Sequence, residues 1–451
     1  MKVYKITDAE FAKYGQVVDS YNFEKTINLK KDTNMKKYDL VVVGGGLSGC
    51  AAAISAKREG LSVLLIEKTG SLGGAISNNL VFPFMHYFEA PNANGKKVYL
   101  SEGIFSEMRA VASSIETPET DTEFRPEAFK HALDKMVVSS GADLLFHTAL
   151  CDAEKDGDKI KSVKILTKSG LEDVYADYFI DATGDGDLIY YAGCDYQLGR
   201  ETDSLCQPMT TCFRLSGVDM NQFGKDLPML QQEYKALKEK GEIKNPRENI
   251  LFFVGLGEGI LHLNTTRVIK HNPTDPIELS KAEVLGREQV FEIVKFLKTH
   301  SKAFEKSTVI SVANQIGVRE SRKLKGLHVL TAEELTGLVY FDDTIARGNY
   351  EIDIHNPSGT GTYIHYFKKG EVYQIPYRSL VPKEYVNLLV AGRCLSATHE
   401  AHSAVRIMPI CACLGQAAGT AVAVAVKTKT NTHTLSTDKV REILKNNGAN
   451  V

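Results

Sequence analysis

Residues 38–43 read Tyr-Asp-Leu-Val-Val-Val, a nearly unbroken apolar and β-branched run. Such a run predicts a strand of a parallel sheet buried on both faces. Gly44-Gly45-Gly46-Leu47-Ser48-Gly49 follows without a spacer. Residues 50–59 are alanine-rich and favour helix, Gly60 can end that helix, and residues 62–66 predict the next strand, so 38–67 reads as one βαβ unit. Further on, Pro126 opens a predicted helix reaching about 139, and a strand is expected over 143–148. Strand-like runs at 160–167 and 174–180, beside Asp156-Gly157-Asp158, predict a β meander that returns the chain to Asp181-Ala182-Thr183-Gly184-Asp185-Gly186-Asp187.

The pattern then changes character. Helices are expected near 227–240 and 280–299, the second opened by the capping box Ser280-Lys281-Ala282-Glu283. Val386-Asn387-Leu388-Leu389-Val390-Ala391-Gly392-Arg393 restores the strand-then-glycine pattern, and a helix of small residues follows over about 409–426. These features predict an α/β chain whose first domain is discontinuous, 37–204 with 379–451, interrupted by an α+β domain at 205–378. Residues 1–36 are polar and lysine-bearing, an extension expected to pack on the surface, with Met35 a second start candidate.

Length and composition narrow the function classes. The 451 residues give roughly three units of about 150 residues each. With 43% apolar and 24% charged residues, such a chain buries a large core without structural metals or disulfides. A net charge of -2 supplies no field for nucleic acid or an anionic membrane. No uninterrupted apolar run reaches the roughly 18 residues of a bilayer span, and residues 40–56, the nearest, are broken by glycines. The eight cysteines are scattered, and no apolar leader follows Met1, which together predict a reduced, cytoplasmic protein. Cys411-Ala412-Cys413 is a lone pair on an apolar helix and no cluster-binding run exists, so no metal is expected.

The glycine-rich turn carries the first chemistry. Gly44, Gly46 and Gly49 form G-x-G-x-x-G between strand and helix: the first permits the turn, the second lets a pyrophosphate approach, and the third packs helix on strand. Leu47 and Ser48 then start a helix whose N-terminus faces the negative charge. Glu67, at the end of the second strand, can accept both ribose hydroxyls of an adenosine and would repel a 2′-phosphate. Gly73-Gly74, Ala182-Thr183-Gly184-Asp185 and Ala391-Gly392-Arg393 each follow apolar sequence far along the chain, where one long dinucleotide could collect them.

With these stretches, and with Gln207-Pro208-Met209-Thr210, Gln315-Ile316-Gly317-Val318-Arg319-Glu320-Ser321-Arg322 and residues 389–419, the chain resembles the FAD-dependent oxidoreductase family, within the glutathione-reductase-like flavoproteins, over about 38–427. The resemblance implies FAD. It also implies that Gly44, Gly46, Gly49 and Glu67 hold the ADP half, that Lys68, Gly73 and Gly74 line the way to the flavin, and that Gly184, Asp185 and Arg393 lie along the cofactor. For Asp185 and Arg393 a structural ion pair is the competing role. No second G-x-G-x-x-G and no redox Cys-x-x-Cys is present, which argues against pyridine-nucleotide disulfide reductase chemistry.

The flavin performs the redox step, so the protein must supply orientation, a proton route and charge stabilisation. The segment 398–409 combines His402 and Arg406 with Met408-Pro409, whose following N–H groups can face the flavin. His402 is a candidate for proton exchange and Arg406 for binding a substrate carboxylate or the anionic flavin ring, against purely structural roles. His262 sits in an alternating run ending at Arg267, as expected of a strand with one face on a cavity, and Arg319, Glu320, Arg322 and His355 are further candidates. Arg319 and Arg322 are expected on one helical face, neutralised by Glu320. The reading is hydride or electron transfer between a small organic substrate and FAD, with an unidentified electron acceptor or donor and room for a homo-oligomer. Its rivals are an electron-transfer subunit serving a partner protein, a non-catalytic FAD-binding module, and a turn that holds NAD alone.

Overall fold

The computed structural model describes residues 37–89 and 97–451. The expected surface extension at 1–36 lies outside the described residues. The Tyr38–Val43 strand pairs in parallel with Val63–Ile66 on one side and with the end of Gly170–Asp181 on the other. Asp143–Leu145 extends the sheet beyond Val63–Ile66, and Leu388–Val390 joins in parallel beyond Phe179, Ile180 and Asp181. The first half of Gly170–Asp181 instead pairs antiparallel with Lys159–Thr167, which pairs with Ala149–Asp156. This is the expected mixed α/β architecture: a parallel sheet with a meander grafted on one strand, closed by a segment from late in the chain.

Two helices lie back to back on this sheet. Leu47–Arg58 is buried from Leu47 to Ala56, and Met408–Thr428 from Pro409 to Ala425. Small residues let their backbones touch: a Cβ on Gly415 would sit 2.0 Å from the Ser48 carbonyl oxygen, and one on Gly419 2.2 Å from that of Ala52. Met408–Thr428 is long and apolar enough to cross a membrane, but 94% of its apolar window is buried inside the protein.

A four-stranded antiparallel sheet, with Phe213–Ser216 between Leu261–Leu263 and Thr308–Val312, forms the second layer system. Alternation sends Phe213, Leu215, Leu261 and Leu263 into a core shared with the Met220–Glu239 and Pro276–His300 helices. The same alternation sends Arg214 and His262 to the opposite face, where they pair across strands. The expected inserted unit thus contributes in two ways. Residues 213–304 build a core of their own, whereas Leu330, Ile345, Tyr373 and Ile375 pack into the large core of the parallel sheet.

Two local expectations are corrected. The second long helix begins at Pro276, capped by Asp275, whose side chain accepts from the Ile277 and Glu278 amides at 3.0 and 2.8 Å. Asp-Pro outcompetes the capping box because proline at the first turn gives up no helical bond. Ser280 therefore lies inside the helix, donating to the Pro276 carbonyl at 2.6 Å. Arg319 and Arg322 share no helical face, since Arg322 opens the Arg322–Leu324 strand that pairs with Tyr196–Leu198. Glu320 is held by Lys323 and His399 rather than by either arginine.

Candidate functional site

The glycine-rich turn is rigid on two sides and open on the third. Gly44 adopts φ +104°, and a Cβ there would meet the Ala182 carbonyl at 2.4 Å. A Cβ on Gly49 would lie 1.7 Å from the Gly44 carbonyl oxygen. Gly46, by contrast, has extended backbone (φ -66°, ψ 179°) and nothing within 4 Å of the place its Cβ would occupy. It precedes the Leu47–Arg58 helix, whose first turn has no capping side chain. Uncapped amides beside open space are what an anionic group requires.

The distant glycine segments meet at this turn. Gly46 bridges to Gly73, whose amide donates to the Gly45 carbonyl at 2.9 Å, and a Cβ on Gly74 would come within 3.1 Å of the Gly46 Cα. Ala182 and Thr183 cover Gly44. A Cβ on Gly392, at φ +86°, would strike the Ser48 hydroxyl at 2.6 Å. Glu67, buried at the strand end, accepts from the Gly45 amide at 2.7 Å and from the amide and hydroxyl of Thr69 at 2.7 and 2.8 Å. Its carboxylate is thereby fixed beside the turn. Met408 and Pro409 begin the second helix, which also has no capping side chain.

Gly184 packs against the guanidinium of Arg393, which forms an ion pair with Asp185 at 2.9 Å and donates to the Ser321 hydroxyl at 2.9 Å. That hydroxyl donates to Asp185 at 2.8 Å. Burial alone would raise the Asp185 carboxyl, but the charges of Arg393 and exposed Lys68, with the bonds from Ser321 and Arg393, hold it below the usual carboxylate range.

The four candidates for chemistry fall into different surroundings. His402 is fully buried, bonds the Arg393 carbonyl through Nε2 at 2.8 Å, and leaves Nδ1 without a partner. Burial holds it well below an ordinary histidine, so it is neutral. His262 is also fully buried, between the rings of Phe82 and Phe253, and neither ring nitrogen has a partner. Burial and the charge of Arg214 push it down to about 3.

Arg319 and Arg406 belong to one group. Arg319 donates to the Pro208 carbonyl at 2.6 Å and to the Thr210 hydroxyl, and Arg406 reaches the Gln207 side-chain oxygen at 3.4 Å. Burial, then the like charges of Arg406, Arg247 and Arg267, push Arg319 down to about 9. Arg267 pairs with Glu248 at 3.0 Å and meets His355 Nδ1 at 3.2 Å, while His355 Nε2 faces Asp353 at 3.4 Å. Nearby, Lys323, Glu320 and His399 form a buried triad, in which His399 and Lys323 hold the Glu320 carboxyl down at about 2 against burial. Sequence reading missed Arg247 and Asp353, and named Arg267 and Gln207 only as parts of longer stretches, the alternating run of His262 and the Gln207-Pro208-Met209-Thr210 segment. Among the described residues, no group of three His, Cys, Asp or Glu side chains is arranged to hold a metal.

Against known proteins, a model of the FAD dependent oxidoreductase family matches residues 39–444. The digeranylgeranylglycerophospholipid reductase of Methanosarcina acetivorans is 25% identical over 287 residues, 60% of this chain and 66% of that protein. The ferredoxin--NADP reductase of Mycoplasmoides gallisepticum is 34% identical over 85 residues, 16% of this chain and 25% of that one. The matches to the first curated relatives span less than half of their length, 25% and 39%. A geranylgeranyl bacteriochlorophyll reductase-like structure from Thermoplasma acidophilum superposes with a TM-score of 0.44 at 14% identity, covering 92% of this chain and 84% of that one.

Proposed function

This chain belongs to the family of FAD-dependent oxidoreductases and its cofactor is FAD, and from that premise we propose that it transfers hydride or electrons between FAD and a small organic substrate. The observation that carries the reading is the convergence of Gly46, Gly73-Gly74 and Gly392 on one uncapped helix start, with Gly184-Asp185 tied to the adjoining Arg393. In this reading the first-turn amides of Leu47–Arg58 grip the pyrophosphate and Glu67 takes the ribose hydroxyls. Lys68 and the Asp185–Arg393–Ser321 triangle brace the middle of the cofactor.

When bound, FAD supplies the two-electron redox chemistry of its ring system. The chain's own residues do the rest. The helix start at Met408 and Pro409 aims free amides toward negative charge. His402 is a positioning residue: its Nε2–H fixes the Arg393 carbonyl and thus the Gly392 turn. Arg406, from just before the Met408 helix start, and Arg319, from the other domain, orient the substrate, and the Phe82–His262–Phe253 layer excludes water. In this reading 37–204 with 379–451 form a discontinuous cofactor domain, and 205–378 form the substrate domain.

Purified protein should be yellow and release FAD on denaturation, and anaerobic mixing with carboxylic acids, alcohols, amines and enones should bleach the flavin for one class. Colourless protein that stays colourless after soaking with FAD would overturn the reading.

A further inference from the structure

The arginine group is electrically unfinished. Arg319, Arg406, Arg247 and Arg267 act on one another, and the carboxylates facing them are Asp353 and Glu248. Glu248 is engaged by Arg267, and Asp353 by His355 at 3.4 Å and the Tyr350 hydroxyl at 3.1 Å. His355, pushed down to about 3 by burial and Arg319, adds no charge near neutrality. A third carboxylate, Glu320, accepts from the Gln207 backbone amide at 3.0 Å but is paired with Lys323, so four guanidiniums against Asp353 and Glu248 leave two positive charges over. Among the described residues, none of Arg319, Arg406 and Arg247 has a carboxylate within ion-pair distance, and their bonds go to neutral oxygens.

A second, independent observation lies at the same place. Gln207 is 1% exposed, yet its side-chain nitrogen has no partner, and neither has the buried Nε of Arg406 beside it. Buried donors left unpaired are costly, so two of them side by side mark where an acceptor belongs. Arg406 and Arg319 flank the Gln207-Pro208 peptide, each with donors in the planar fork that matches a carboxylate.

We propose that the cluster of Gln207 with Arg319, Arg406 and Arg247 binds a small dicarboxylate, one carboxylate taken by Arg406 with Gln207 and the other by Arg319 with Arg247. This deepens the oxidoreductase reading and rests on it, for it names the substrate class of the same site. Charge spread over two carboxylates matches two separate guanidiniums better than charge concentrated on one phosphorus. A bound dianion offsets that surplus.

The test titrates holoprotein with succinate, butyrate, dimethyl succinate and ethyl phosphate, read by calorimetry and by the flavin difference spectrum. Succinate should bind at least about tenfold more tightly than butyrate, with no binding of the diester. Arg406→Gln and Arg319→Gln should each weaken succinate by on the order of 10- to 100-fold. Arg406→Gln should also unfold at a temperature no lower than the parent, which a merely structural arginine would not permit. Arg406→Lys, which keeps the charge but not the fork, should fall between the two and serves if the glutamine variant fails to fold. Equal affinity for succinate and butyrate, preference for ethyl phosphate, or unchanged succinate affinity in the variants would overturn the proposal. A yellow protein indifferent to succinate fails this inference alone, and a colourless one that still binds succinate fails the cofactor reading alone.

Discussion

The two halves of the site are made of different material. Around Gly44 to Gly49 the proposed recognition surface is backbone: amides at a helix start, held in place because neighbouring residues lack side chains. Around Gln207, Arg319 and Arg406 it is long side chains, whose charges repel and whose donors are incompletely matched. A backbone surface is fixed by folding and serves one group well. A side-chain surface stores unfavourable electrostatics that binding discharges, which suits a ligand that must come and go.

The largest effect should come from closing the rigid side of the turn. In Gly49→Ala the new methyl lies against the Gly44 carbonyl, and about 4 kcal/mol or more of stability should be lost, read as little folded protein by circular dichroism and thermal unfolding. Next is the buried triad. Glu320→Gln should cost on the order of 3 kcal/mol at pH 7 by leaving Lys323 and His399 buried without their carboxylate. The folded-state value near 2 lies below the ordinary 4.5, so the stability Glu320 contributes is full above pH 4.5 and fades as pH falls toward 2. Unfolding of the glutamine variant should therefore converge on the parent in acid, and equal stability of the two at pH 7 would remove the triad from the account.

Gly46→Val sharpens the contrast. The site of its side chain is open and its backbone is extended, so the apoprotein should unfold within about 0.5 kcal/mol of the parent while FAD affinity drops by at least about 100-fold. Retained FAD would deny that this turn meets the pyrophosphate. The smallest effect tests the side-chain half. His262→Phe replaces two unpartnered nitrogens by a third ring beside Phe82 and Phe253, and should gain about 1 kcal/mol. Because His262 titrates near 3 when folded and near 6.5 when unfolded, the parent loses stability as pH falls from 6.5 toward 3. The phenylalanine variant should lack that component, with the gap widening between pH 7 and pH 4 in thermal scans.

The same contrast explains what could be read before folding was known. The glycine turns were legible because backbone requirements are written as glycine at fixed spacing: G-x-G-x-x-G, Gly73-Gly74 and Gly392 each announce a turn that no other residue makes cheaply. The arginine group was legible only in pieces. Arg247, Arg267, Arg319 and Arg406 sit on four separate segments, and no local spacing tells which charges will share a pocket. The packing of Ile345 and Tyr373 on the first core was equally unreadable, because short strands carry no mark of their partner. The helix start at Asp275-Pro276 was legible in principle, and the capping box at Ser280 drew attention away from it.

The late strand Leu388–Val390 has a consequence for synthesis. Its place beside Phe179 to Asp181 stays open until roughly 200 further residues have left the ribosome, on the order of 10 to 40 seconds at about 5–20 residues per second. Throughout that interval the nascent chain displays a naked, apolar strand edge, the surface on which chains aggregate. Molecular chaperones that shield such edges should therefore govern how much of this polypeptide matures.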